Sequence, residues 1–133
     1  VPSFLINTTL IGVIAQRLVR KVCPHCAEWY HLSEDEGALL GIPREKAKTI
    51  RVSVGAGCPP CRGTGYLGRT AIFEIMEVTD KVRDAIEERT TPTKLKQIAQ
   101  TEGFTTLREN AIKILLKGIT TVDEVVRVTG VSA

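Results

Sequence analysis

The sequence is poor in aromatic residues: one Trp, two Tyr and three Phe, 5% of 133 residues. That is too few for the stacking platforms that hold single-stranded nucleic acids. The net charge is only +3, so nothing in it demands a polyanion or an anionic membrane as partner. No apolar run approaches the ~20 residues of a membrane span. No stretch has the pattern of a secretory leader, which favours a reducing cytoplasm for the thiols. Methionine is missing from the first position. Val1 stands in the middle of an apolar segment, so the chain reads as a piece of a longer protein. Its hydrophobic content of 43% and charged content of 25% are those of a globular protein. The length suffices for one ordinary domain or two small ones.

Cysteine is also scarce, but it is placed. All four cysteines lie in two turns, Cys23-Pro24-His25-Cys26 and Cys58-Pro59-Pro60-Cys61, with 31 residues between them. In a C-x-x-C turn both sulfurs can point to one side of a tight knuckle. Two knuckles supply four thiolates, a closed tetrahedral set for zinc. Proline after the first cysteine of each pair favours the turn. Glycines at 55, 57, 63 and 65 let the backbone pass close to a metal.

Other readings of the thiols are weaker. Two disulfides need an oxidising compartment. A thioredoxin-like redox pair needs a helix directly after the C-x-x-C, and Arg62-Gly63-Thr64-Gly65 is a poor helix start. Four unrelated thiols leave the paired spacing without a reason. His25 and His31 read as residues beside the cluster or on the surface, not as ligands.

Along the chain, Leu5, Ile6, Leu10, Ile11, Val13, Ile14, Leu18 and Val19 recur at helical spacing. A helix is expected to about Arg20, capped by Asn7, Thr8 or Thr9. Gln16, Arg17, Arg20 and Lys21 then form either a solvated last turn or a face toward a phosphate or a neighbouring subunit. Ser33-Glu34-Asp35-Glu36 is a capping box, and its helix should end at Gly41. Pro43 starts a further turn. Thr49–Val54 reads as a strand entering the second knuckle. Trp29 and Tyr30 are expected to pack this small insert, with zinc as its main stabiliser.

Gly63-Thr64-Gly65-Tyr66-Leu67-Gly68-Arg69-Thr70 matches two phosphate-binding patterns by letter, with Arg69 where one of them requires lysine. Both patterns need a strand before the loop and a helix after it. Here a knuckle precedes and the strand-like Thr70–Val78 follows, so turn glycines explain the spacing better. Four helices finish the chain. Thr79 or Asp80, Thr91, Thr105 or Thr106, and Thr120 or Thr121 start them, and Gly103, Gly118 and Gly130 stop the last three. Their apolar stripes suggest one compact bundle, with the charges on its solvated face.

The order of these features resembles a known family. The residues are Phe4-Leu5-Ile6; Ala15 to Val22 running into Cys23-Pro24-x-Cys26; Gly57-Cys58-x-x-Cys61-x-Gly63-Thr64-Gly65-Tyr66-x-Gly68-Arg69-Thr70-Ala71-Ile72-x-Glu74; Glu102-Gly103-Phe104-Thr105-Thr106-Leu107; and Lys117-Gly118-Ile119-Thr120-Thr121-x-Asp123-Glu124-Val125-x-Arg127-Val128-Thr129. Over essentially its whole length the chain resembles the C-terminal part of bacterial type II secretion and type IV pilus assembly ATPases. The resemblance implies an α/β fragment of a RecA-like ATPase domain. Residues 1–22 are a terminal helical segment of the core, 23–61 a tetracysteine zinc insert, 62–78 a strand segment returning to the core, and 79–133 a C-terminal helical subdomain.

Cys23, Cys26, Cys58 and Cys61 match the family's zinc ligands. ATP and magnesium belong to the full-length protein, whose Walker motifs and histidine box lie upstream. No catalytic residue carries over. Gln16, Arg17 and Arg69 fall in family stretches near the ATPase core. Implied partners are the other subunits of a homohexamer and inner-membrane platform proteins, at the cytoplasmic face of the inner membrane, with membrane association through those partners.

Two other classes remain open on the residues. One is a zinc-ribbon module for nucleic acid, using Arg44, Lys46, Lys48, Arg51, Arg62 and Arg69. The other is the C-x-x-C-x-G-x-G zinc repeat of J-domain co-chaperones, of which only Cys58–Gly65 gives a copy.

Overall fold

The computed structural model describes residues 12–130. Four strands and six helices follow in the order β1 (Gly12–Val22), β2 (Ala27–His31), α1 (Glu34–Leu39), α2 (Arg44–Ala47), β3 (Arg51–Gly55), β4 (Tyr66–Glu77), α3 (Asp80–Glu87), α4 (Pro92–Thr101), α5 (Leu107–Leu116) and α6 (Val122–Thr129). β1 pairs with β4, and β2 with β3. The second pair is antiparallel, from Ala27 opposite Gly55 to His31 opposite Arg51.

The chain divides into two compact units. The larger comprises Arg17–Ile72 and residues 107–130; the smaller comprises residues 12–16 and Phe73–Thr106.

In the larger unit, Leu32, Leu40, Ala47 and Val52 from the stretch between the knuckles join Val19, Ile72, Ala111, Leu115, Val122 and Val125 in one buried cluster. The insert therefore does not depend on metal alone: α5 and α6 supply much of its core. Trp29 is 48% exposed and rests against Gly118. A Cβ on Gly118 would lie 2.6 Å from Cη2 of that ring, and the residue has φ 79°. Tyr30 is half-buried against the same core. Its hydroxyl donates to Glu36 Oε2 at 2.7 Å, and burial together with that carboxylate pushes the phenol above its ordinary pKa.

In the smaller unit, Val78, Val82 and Ala99 are buried, with Met76, Ile86, Leu95, Ile98 and Phe104 against them.

Local signals predict the helices well. Ser33 and Glu36 form the complete capping box. The hydroxyls of Thr79, Thr91 and Thr121 each accept from the backbone N–H three residues on, which satisfies a donor the first turn leaves open. Pro43 precedes α2, and Pro92 stands in the first turn of α4.

Three expectations need correction. Residues 12–22 form a strand, not the end of a helix. Ile14 and Leu18, inward on a helical reading, are 67% and 49% exposed. The expected caps Asn7, Thr8 and Thr9, with Leu5, Ile6, Leu10 and Ile11, lie outside the described residues. β2 was not anticipated, and β4 begins at Tyr66 instead of Thr70. The four last helices do not form one bundle over 79–133: α3 and α4 belong to the smaller unit, α5 and α6 to the larger. An amphipathic stripe shows that a helix has a buried face, but not what covers it.

Candidate metal centre

The first knuckle follows the end of β1 and the second follows β3. Two backbone bonds bring them together. The Cys23 N–H donates to Gly65 O at 2.9 Å, and the Ala56 N–H donates to Cys26 O at 3.1 Å. The approach is close enough to exclude a side chain: a Cβ on Gly55 would lie 2.2 Å from Gly65 O. Beyond Cys61, Arg62 has φ 56° and Gly63 φ 76°. These left-handed residues fold the chain back over the sulfurs.

All four Sγ atoms then lie within 4.8 Å of one another. Cys58 and Cys61 are 3.5 Å apart, Cys23 and Cys58 3.6 Å, and Cys26 and Cys61 3.8 Å. A tetrahedron of thiolates at ~2.3 Å from zinc has edges of about 3.8 Å, so the donor set fits such an ion. A disulfide needs its sulfurs at ~2.05 Å, and all four cysteines are free.

Backbone donors face the sulfurs. Gly57 N–H points to Cys26 Sγ at 3.3 Å, Cys58 N–H to Cys61 Sγ at 3.2 Å, and Gly65 N–H to the same sulfur at 3.3 Å. Burial works to raise the Cys61 thiol. The Gly65 and Cys58 donors and the neighbouring thiols outweigh it and bring Cys61 down to about 6. Cys58 has a lowering backbone contact at Cys61, but burial and three adjacent thiols push it up to about 12. Burial also raises Cys26. Cys61 forms its thiolate readily, while Cys26 and Cys58 hold their protons until a cation replaces them. His25 and His31 are not part of this group of four.

The surface residues considered from the sequence are largely engaged. Arg44 pairs with Glu34 at 2.7 Å, and Arg51 lies over the Trp29 ring at 5.8 Å. Glu36 is held by Ser33 and Tyr30. Arg69 is exposed on β4, and Gln16 and Arg17 are exposed on β1.

Sequence reasoning missed Glu124, placed on the solvated face of the last helix. Its residue is 1% exposed. Oε1 accepts from the Arg20 backbone N–H and from Arg20 Nε, both at 2.8 Å. Oε2 accepts from Arg127 Nε at 2.5 Å. Burial opposes ionisation of this carboxyl, but the two arginines hold it down at about 2. Arg20 and Glu124 lie 104 positions apart, so no spacing in the sequence joins them.

Among the described residues, no helix is long and apolar enough to cross a membrane. The model of the type II/IV secretion system protein family matches residues 1–127. The chain is 42% identical to the type IV pilus assembly ATPase PilB of Thermus thermophilus over 94% of its own length and 14% of that protein's. It is 38% identical to type II secretion system protein E of Pseudomonas aeruginosa, over 97% of its length and 25% of the relative's. The same identity holds against a putative type II secretion system protein E of Escherichia coli, over 96% and 25%. The chain thus spans a quarter or less of these relatives. With the family's pattern running through both knuckles and into the last helix, the chain belongs to the type II/IV secretion system protein family.

Proposed function

We propose that this chain is the zinc-binding C-terminal piece of a hexameric motor ATPase that powers protein secretion or pilus extension. The observation that carries the reading is the cluster of four cysteine sulfurs at tetrahedral spacing. Zinc, when bound, supplies a four-thiolate crosslink between two distant turns. The chain's own residues do the rest. The Cys23 and Ala56 amides hold the knuckles in register, and the Gly57, Cys58 and Gly65 amides stabilise negative charge on sulfur. The shared core seats the insert on α5 and α6. The result is a rigid surface for a neighbouring subunit or a membrane-platform protein.

The role is indirect. ATP and magnesium bind the longer protein through residues upstream, so the isolated chain is expected not to hydrolyse ATP. The parent works at the cytoplasmic face of the inner membrane. The test is Cys58→Ser in the complete protein. It should lose the metal, unfold the insert and reduce secretion or piliation while ATP binding persists. Full transport by a variant shown to lack zinc would overturn the reading, and so would ATP turnover by a clean preparation of this chain.

A further inference from the structure

An open cleft of about 600 Å³ in the larger unit is lined by Leu18, Arg20, Gly68, Arg69 and Arg127. None of these is a cysteine ligand, and three of the five are arginines. We propose that this cleft is a binding site for a phosphoryl group, held by the guanidiniums of Arg20, Arg69 and Arg127.

The charge balance points to such a ligand. The carboxylate among these arginines is Glu124, and it is buried with both oxygens occupied. Among the described residues, Arg69 has no ion-pair partner. Three guanidiniums against one buried carboxylate leave two positive charges at the cleft. That complements a phosphate dianion better than a single carboxylate. Guanidinium forks also match the spacing of phosphoryl oxygens.

Arg20 and Arg127 are held in place before any ligand arrives. Glu124 takes the Nε edge of Arg20 and of Arg127. Arg127 Nη2 also donates to Leu18 O at 3.0 Å. The Arg20 guanidinium lies 4.0 Å over the Tyr66 ring. The Tyr66 hydroxyl bonds Thr121 Oγ1 at 2.8 Å, and that oxygen caps α6. Thr120 Oγ1 donates to Arg20 O at 2.8 Å. Arg20 and Arg127 remain half exposed, at 50% and 54% of their side chains. Preorganised cations next to open solvent lose little freedom on binding an anion.

This differs from the phosphate cradle that the glycine spacing mimics. Gly68 and Arg69 stand in a strand, with no helix N-terminus behind them. Here side chains, not a loop of backbone amides, would meet the ligand.

The test is titration of the zinc-loaded chain with inorganic phosphate, followed through the arginine Nε–Hε resonances. The expected result is saturable shifts at Arg20, Arg69 and Arg127. Arg69→Ala should weaken binding roughly 10-fold or more, the value of one charge-assisted contact. Arg69→Lys should recover part of that loss. Lys48→Ala removes the same charge outside the cleft and should change nothing. A parallel arm uses phosphatidylglycerol vesicles against phosphatidylcholine vesicles. Shifts of the same arginines with the anionic vesicles identify a lipid headgroup as the source; shifts with free phosphate alone identify a soluble one. No saturable shift with either probe would overturn the proposal, as would phosphate binding that Arg69→Ala leaves intact.

Discussion

Glu124 shows how one side chain can join distant parts of a chain. Its carboxylate lies beneath Arg20 of β1 and Arg127 of α6, and those pairings bring its pKa from 4.5 to about 2. The folded state therefore holds this proton less tightly than the unfolded chain does. The stability that follows is fully present above the unfolded value and is lost as pH falls through the folded one. Denaturation midpoints of the native sequence should fall between about pH 4.5 and pH 2. Glu124→Gln should flatten that limb and lower stability at neutral pH by about 2 kcal/mol. A fully buried pair costs more when broken, but both guanidiniums here are half exposed. An unchanged acid limb in the variant would show that Glu124 does not set it.

At the scale of elements, Gly118 connects the end of α5 to the insert. Its φ of 79° and the Trp29 ring at 2.6 Å from a would-be Cβ both exclude larger residues. Gly118→Ala should cost roughly 2 kcal/mol in thermal denaturation, part from the left-handed backbone and part from the clash. Adding Trp29→Ala should then cost less than it does alone, because the clash is gone; simple additivity would refute the contact. β1 teaches a different lesson. Residues 12–22 carry apolar spacing that suits a helix on paper, yet they lie along β4, which starts 44 positions after β1 ends (Val22 to Tyr66). Strand pairing satisfies the backbone through a partner that no local window contains.

For the whole molecule, the metal should act on one unit. Chelation is expected to remove one zinc per chain and expose four reactive thiols. With zinc bound as proposed, that would remove a binding free energy on the order of 10 kcal/mol. Hydrogen exchange should then rise across β2, β3 and α1, while α3 and α4 keep their protection, since their core of Val78, Val82 and Ala99 is their own. Equal loss of protection in both sets would contradict the division into two units. The features legible from the sequence were local ones. Cys23-Pro24-x-Cys26 and Cys58-Pro59-Pro60-Cys61 announced the cluster, because turn chemistry and thiol chemistry act over four residues. Ser33 with Glu36, Thr79, Thr91 with Pro92, and Thr121 announced helix starts, because a cap bonds an amide three positions away. What only the tertiary structure decided was partnership: β1 with β4, α5 and α6 with the insert, Glu124 with Arg20. Each depends on a burial or a hydrogen bond whose second half lies tens of residues away, and one segment's own sequence does not specify which distant segment will supply it.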